Sequence, residues 1–164
     1  MGEKPFERRK GAMQTAKDLL KSKTKEVWSI SPKKTVFDAL KLMADKDVGA
    51  IMVMDDTVPV GKEKVLGIIT ERDYARKVIL KGKSSSKIQV SEIMTPMEKL
   101  YVVKPETSVE DCMVLMTGKK VRHIPVFDGA KFIGLISIGN VVKSTISSKD
   151  MLIEHLSNYI GGTY

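Results

Sequence analysis

The chain repeats itself, and that duplication limits its fold more than any other feature. Val90–Thr95 (VSEIMT) echoes Ala16–Lys21 (AKDLLK) at a spacing of 74 residues. From Pro32 and Pro105 the spacing is 73, and it holds through Val36/Val109, Asp38/Asp111, Met43/Met116, Val48/Val121, Ile51/Ile124, Val53/Val126 and Asp55/Asp128. After the next loop it becomes 67, pairing Gly67/Gly134, Ile69/Ile136, Thr70/Ser137 and Asp73/Asn140. The whole six-residue difference falls in that loop, where insertions are tolerated. Each copy has too little core to stand alone, so the two are expected to bury their sheets and helices against each other.

One copy is read from its periodicity. Thr15–Ser22 places Ala16, Leu19 and Leu20 on one side of a short helix. Val27–Ile30 alternates and stops at Ser31-Pro32, as a short extended segment does. Thr35 reads as an N-cap with Asp38 three residues on, followed by Val36, Ala39, Leu40 and Met43 at core-facing helical spacing. Gly49–Met54 is a continuous apolar run, the mark of a strand covered on both faces. Asp55–Lys64, with Pro59 and Gly61, is a loop; Leu66–Thr70 is a second strand and Asp73–Leu80 a second helix.

The expected fold class is therefore α/β (α+β): two tandem β-α-β-β-α repeats packed as a pseudo-twofold pair, with short N- and C-terminal helices. The boundaries are a flexible arm over 1–14, repeat 1 over 15–80 and a flexible linker over 81–88. Repeat 2 covers 89–146, and a C-terminal helix and tail cover 147–164. Ser148–Ile160 carries Met151, Leu152, Leu156, Tyr159 and Ile160 at helical spacing and is expected to close over the module. A pseudo-twofold arrangement would put the two equivalent strand-to-helix turns near a cleft between the halves.

Composition excludes several classes. Of the 164 residues, 42% are hydrophobic and 29% charged, ordinary for a globular protein, and no apolar run reaches the ~18 residues of a membrane span. The basic start carries Glu3, Glu7 and Asp18 and has no apolar h-region, which argues against a secretory signal. A cytoplasmic location is expected, or an organelle matrix such as the mitochondrial one if a transit peptide has been removed. A lone cysteine, Cys112, makes no internal disulfide and suits a reducing compartment. The net charge of +8 is scattered and only 5% of residues are aromatic, so nucleic acid is not an expected partner. No nucleophile with its base and no metal-ligand cluster stands out, so neither a catalytic residue nor a metal site is expected. The ten methionines read as core filler.

The chemistry gathers at the strand-to-helix turn Thr70-Glu71-Arg72-Asp73. A helix N-terminus with a hydroxyl and a carboxylate can serve a ligand: the hydroxyl bonds phosphate and the carboxylate accepts from ribose hydroxyls. The same residues also spell a plain capping box, Thr70 capping and Asp73 in the first turn, with no ligand at all.

The pieces GIITERDYARKV, VSEIMT, VRHIPVFD and GLISIGNVV, in two repeats that each end in a G-h-h-[ST]-x-x-[DN] turn, resemble a CBS-domain pair, the Bateman module. The resemblance covers about residues 15–146. The TERDYARK run and the NYIGGTY tail look similar to plant mitochondrial CBS-pair proteins and their bacterial relatives. The resemblance implies a non-enzymatic, energy-sensing regulatory module that holds an adenosine-containing ligand between its repeats. AMP, ADP or ATP leads, with NADH and S-adenosylmethionine as further candidates.

It also implies residue roles. Asp73 would hold ribose hydroxyls and Thr70 phosphate; Leu100 and Tyr101 would line the base; Arg122 and His123 would face the phosphates, with Arg72 as a further phosphate candidate. Arginine's planar fork suits phosphate oxygens, although Arg122 reads equally as a surface ion pair and His123 as a structural histidine. The second site keeps Ser137 and Asn140 but lacks the carboxylate, and Gly49 and Ala50 stand where the basic pair stands in the other half. That site is expected to be weak. His155 reads as surface, and Cys112 as buried rather than reactive. The family implies a homodimer, and Phe37 and Leu42 are apolar beyond the minimal stripe of their helix. A competing reading is a protein-interaction regulator, with the plant relatives suggesting a thioredoxin-type partner.

Overall fold

The computed structural model of the chain describes residues 13–23, 26–59 and 64–160. The expected arm up to residue 12, the loop tip at 60–63 and the tail at 161–164 lie outside the described residues. In chain order the elements are α1 (Ala16–Lys21), β1 (Ser29–Ile30), α2 (Val36–Lys46), β2 (Ala50–Met54), β3 (Val65–Thr70), α3 (Glu71–Lys77), α4 (Val90–Ile93), β4 (Thr95–Pro96), α5 (Val109–Lys119), β5 (His123–Asp128), β6 (Lys131–Ser137) and α6 (Ile138–Ile160). Short 3-10 turns occupy Ile79–Lys81 and Met97–Lys99. The fold is mixed α/β, and the β-α-β-β-α order of the first repeat runs from β1 to α3.

The chain divides into two compact units, and these cut across the sequence repeats. Among the described residues, one unit is 26–102 with Phe132–Gly134; the other is 13–23 with Val103–Lys131 and 135–160. In the first, β1 runs parallel to β2, β2 antiparallel to β3, and β3 antiparallel to β4. Val36, Ala39 and Met43 of α2 pack with Ile51, Val53 and Ile69 of the sheet and with Val90 and Ile93 of α4. In the second, β5 pairs with β6, and the counterpart of β1 is reduced to a single parallel bridge, Val103 to Val126. Ala16 and Leu19 of α1 join Val109, Cys112 and Met116 of α5 in its core.

The opening helix of each repeat thus packs in the unit that holds the body of the other. The main-chain bonds match across the duplication: Ala16 N donates to Thr107 O at 2.8 Å, and Val90 N to Lys34 O at 2.9 Å. The first N–H groups of a helix have no intrahelical partner, and these carbonyls satisfy them.

Three expectations change. Residues 81–88 are not a free tether: Lys83 N bonds Val78 O, Phe37 N bonds Ser85 O, Val36 N bonds Ile88 O, and Ile88 is buried. The serines there serve as hydrogen-bonding surface chain, not as slack. The helix expected over Asp73–Leu80 ends at Lys77, and the backbone tightens into a 3-10 turn that buries Val78 and turns Ile79 and Leu80 outward. The expected separate tail helix is instead the end of α6, which runs unbroken over 23 residues. After Gly139 no glycine or proline interrupts it. Its Met151, Leu152 and Leu156 are each more than half exposed, so they do not close over a core.

β2 is buried on both faces, as its unbroken apolar run predicts. Thr35 and Asp38 form a full capping box, and so do Thr15 and Asp18.

Candidate functional site

The turn at Thr70 follows from its sequence. β3 ends at Thr70, which keeps extended dihedrals and caps α3. Thr70 Oγ accepts from Asp73 N at 3.2 Å, while Asp73 Oδ2 accepts from Thr70 N at 3.0 Å and from Thr70 Oγ at 2.9 Å. The capping reading is therefore realised, and it occupies the hydroxyl and one carboxylate oxygen. The other oxygen, Oδ1, lies 2.7 Å from Lys77 Nζ. Lys77 also donates to the carbonyl oxygen of Ile93, at the end of α4, at 2.7 Å.

Capping by itself does not require burial. The Asp18 and Asp38 boxes have the same bonds on partly or fully exposed side chains. Asp73 differs: at 9% exposure it is the one buried charged residue among those described. A buried carboxylate is costly unless it is paired and hydrogen-bonded, and here it is both.

The second turn repeats the cap with an amide. Asn140 Oδ1 accepts from Ser137 N at 2.8 Å and from Ser137 Oγ at 2.9 Å, and Ser137 Oγ accepts from Asn140 N at 3.3 Å. Asparagine thus supplies the same acceptor geometry without the charge.

The other candidate residues fall on two backbones. Gly49 O accepts from Glu71 N at 3.1 Å, and Ala50 stands opposite Thr70 in the β2–β3 register, so this pair adjoins the Asp73 turn. Arg72 is half-buried in the first turn of α3. Leu100 and Tyr101 follow β4 and the 3-10 turn, Leu100 half-buried and Tyr101 exposed. Arg122 and His123 belong to the other unit, where Arg122 O accepts from Ile138 N at 2.8 Å, beside the Ser137–Asn140 turn. In its own unit, then, each pair backs onto the turn of its own repeat.

Lys77 is the residue that sequence reasoning missed. The Asp-to-Lys spacing of four on a helix was visible and favours an ion pair. Cys112 is fully buried, and burial pushes its thiol up, away from reactivity. Among the described residues no group of His, Cys, Asp and Glu could hold a metal ion, and no helix is long and apolar enough to cross a membrane.

Comparison with known proteins places this geometry in a family. The profile of the CBS domain matches residues 16–79 and 90–147. The CBS domain-containing protein CBSX3, mitochondrial, of Arabidopsis thaliana is 41% identical over 155 residues, covering 92% of this chain and 73% of its own length. The structure of a protein with CBS domains from Burkholderia ambifaria MC40-6 superposes with a TM-score of 0.74 at 45% identity, over 82% of this chain and 95% of that one. The CBS domain pair of MJ0100, solved with 5'-methylthioadenosine and S-adenosyl-L-methionine, shares the fold at a TM-score of 0.67 and 19% identity, over 83% of this chain and 98% of its own. Both repeats are matched, and the chain belongs to the CBS-domain family as a CBS-domain pair.

Proposed function

We propose that the chain is a non-enzymatic regulatory module that binds an adenosine-containing ligand, AMP, ADP or ATP foremost. The buried Asp73 carboxylate carries this reading: it is an anionic acceptor kept in an apolar unit, which suits ribose hydroxyls and not phosphate. Arg72 is assigned to phosphate, Leu100 and Tyr101 to the base, and Arg122 and His123 are the remaining phosphate candidates, while Thr70, whose one hydroxyl proton goes to Asp73, holds the carboxylate in place. The MJ0100 complex supports the ligand class, because both of its ligands contain adenosine. The Ser137–Asn140 turn, without a carboxylate, is the weaker of the two. Calorimetric titration with AMP, ATP, NADH and S-adenosylmethionine tests the reading, with UMP as control. Saturable binding of an adenosine ligand and none of UMP is expected; equal binding of UMP would mean that only phosphate is read.

A second reading, a regulator that works by protein contact, rests on α6. Met151, Leu152, Ile153 and Leu156 expose apolar surface along its second half. Recovery of a specific protein partner by a chain that binds none of the nucleotides would favour it. A homodimer is also proposed, since Phe37 of α2, Val114 of α5 and Val142 of α6 are exposed. Sedimentation should show twice the 18.2 kDa chain mass at micromolar concentration. Likeness to CBSX3 makes a mitochondrial location one proposal beside the cytoplasm.

A further inference from the structure

We propose that Lys77 is an internal competitor for the ribose-binding carboxylate, so that a ribose must displace its ammonium to be held by both hydroxyls. The inference rests on the adenosine reading above and concerns how that site is set. A carboxylate offers about four lone-pair positions. Thr70 N and Thr70 Oγ take both positions on Asp73 Oδ2, and Lys77 Nζ takes one on Oδ1. A single position remains, while a ribose 2',3'-diol brings two donors.

One of the present partners has to yield. Releasing the Thr70 N–H would orphan a main-chain donor at the start of α3, and releasing its half-buried hydroxyl would break the reciprocal bond of the capping box. Releasing Lys77 costs less, because its side chain is 44% exposed and its ammonium can return to water on a flexible stem. Lys77 is therefore the partner that leaves.

Its departure is felt beyond the carboxylate. The same ammonium holds Ile93 O at the end of α4, and the chain runs from there through β4, paired to β3, to Leu100 and Tyr101. Occupancy of the ribose position thus loosens one anchor of the strand that leads to the base-lining pair. The duplication supplies an internal contrast. The position equivalent to Lys77 is Ser144, whose hydroxyl bonds Gln14 Oε1 in place of Asn140. The competitor belongs to the carboxylate-bearing turn only.

Adenosine and 2'-deoxyadenosine are the probes, because neither carries a phosphate that a lysine would attract. Lys77→Met keeps the stem and removes the ammonium. Adenosine affinity should rise about fivefold, as fits an ion pair with one part-exposed partner. Affinity for 2'-deoxyadenosine, which needs one acceptor position, should stay level. Lys77→Arg, which restores the cation, should return adenosine affinity to the wild-type value or below, and it carries the test if the methionine variant is too unstable to titrate. Unchanged or weaker adenosine binding by Lys77→Met, or an equal gain for the deoxy compound, overturns the role of Lys77 and leaves the ligand reading standing. Adenosine affinity that rises in Lys77→Arg overturns it equally. If neither wild type nor variants bind any adenosine compound, both inferences fall together.

Discussion

The main-chain N–H of Val36 donates to the carbonyl oxygen of Ile88 at 2.9 Å, and its duplicate Val109 donates to Gln14 O at the same distance. Each bond ties the first long helix of one repeat to the second residue before the opening helix of the other. The bridges Thr35 to Gln89 and Thr15 to Ser108 repeat the exchange. The covalent repeat and the packed unit are therefore different pieces of chain.

A fragment experiment should expose the difference. Residues 15–80 contain a whole sequence repeat but lack Ile88, Val90 and Ile93, which are buried in the core with α2. Residues 26–102 keep them. The longer fragment should show more native-like amide dispersion by NMR and a more cooperative melt. Equal disorder in both would mean that the exchanged helix does not complete the unit.

Gly67 should resist substitution. It sits in β3 opposite Pro96, and a Cβ there would fall 2.3 Å from the carbonyl oxygen of Thr95, a main-chain atom that cannot swing aside. Gly67→Ala has to push β4 away, at a cost of about 1–3 kcal/mol. Urea unfolding that moves by less than the error of the method would contradict this close approach.

Acid should weaken the helix starts. Hydrogen bonds from the Thr15 main-chain N–H and hydroxyl hold the Asp18 carboxyl below its ordinary value, and Thr35, through its hydroxyl and its N–H, does the same for Asp38. A carboxyl depressed in the folded state contributes stability above its unfolded pKa and loses it as pH falls through the folded one. The melting temperature should thus drop below about pH 4, near the ordinary aspartate value. The double variant Asp18→Asn, Asp38→Asn keeps an amide acceptor like that of Asn140 but loses the charge, so it should start only slightly lower at neutral pH and fall less steeply. A parallel pH profile in both proteins would assign the acid sensitivity elsewhere.

Much of this was legible in the chain because period and capping are local. The offsets of 74, 73 and 67 locate every paired element, and the Thr35–Asp38 and Thr70–Asp73 boxes form as spelled. What was not legible is which core an amphipathic helix enters. Ala16, Leu19 and their duplicates Val90, Ile93 show an apolar side but no address, and only packing assigns it. The same limit hid the fate of the tail, since helical spacing at Met151 and Leu156 reads alike for a covered face and an exposed one. At the site, residue types indicated acceptors and donors. They did not show that Thr70 and Lys77 already hold the carboxylate.

Asp73 gives the sharpest test, because its two roles can be separated. Asp73→Ala removes the carboxylate half of the capping box and the ribose acceptor together. Folding stability should fall by about 1–3 kcal/mol, because the Thr70 N–H is left without its acceptor. Adenosine-ligand affinity should fall about a hundredfold, roughly 2.8 kcal/mol, as two charge-assisted hydrogen bonds are lost without full additivity. Asp73→Asn should divide these effects. Asn140 shows that an amide oxygen takes the same two bonds from its capping residue, so the cap survives. What the asparagine loses is the charge that pairs with Lys77, a part-exposed contact worth at most about 1 kcal/mol, and the second acceptor oxygen. The asparagine variant should therefore melt close to wild type and still bind adenosine ligands much more weakly, while Asn140→Ala leaves binding nearly unchanged. Calorimetric titration of the three variants beside their melting curves reads both quantities. Full affinity in a stable Asp73→Asn protein would reduce this carboxylate to a helix cap and remove the ribose from it.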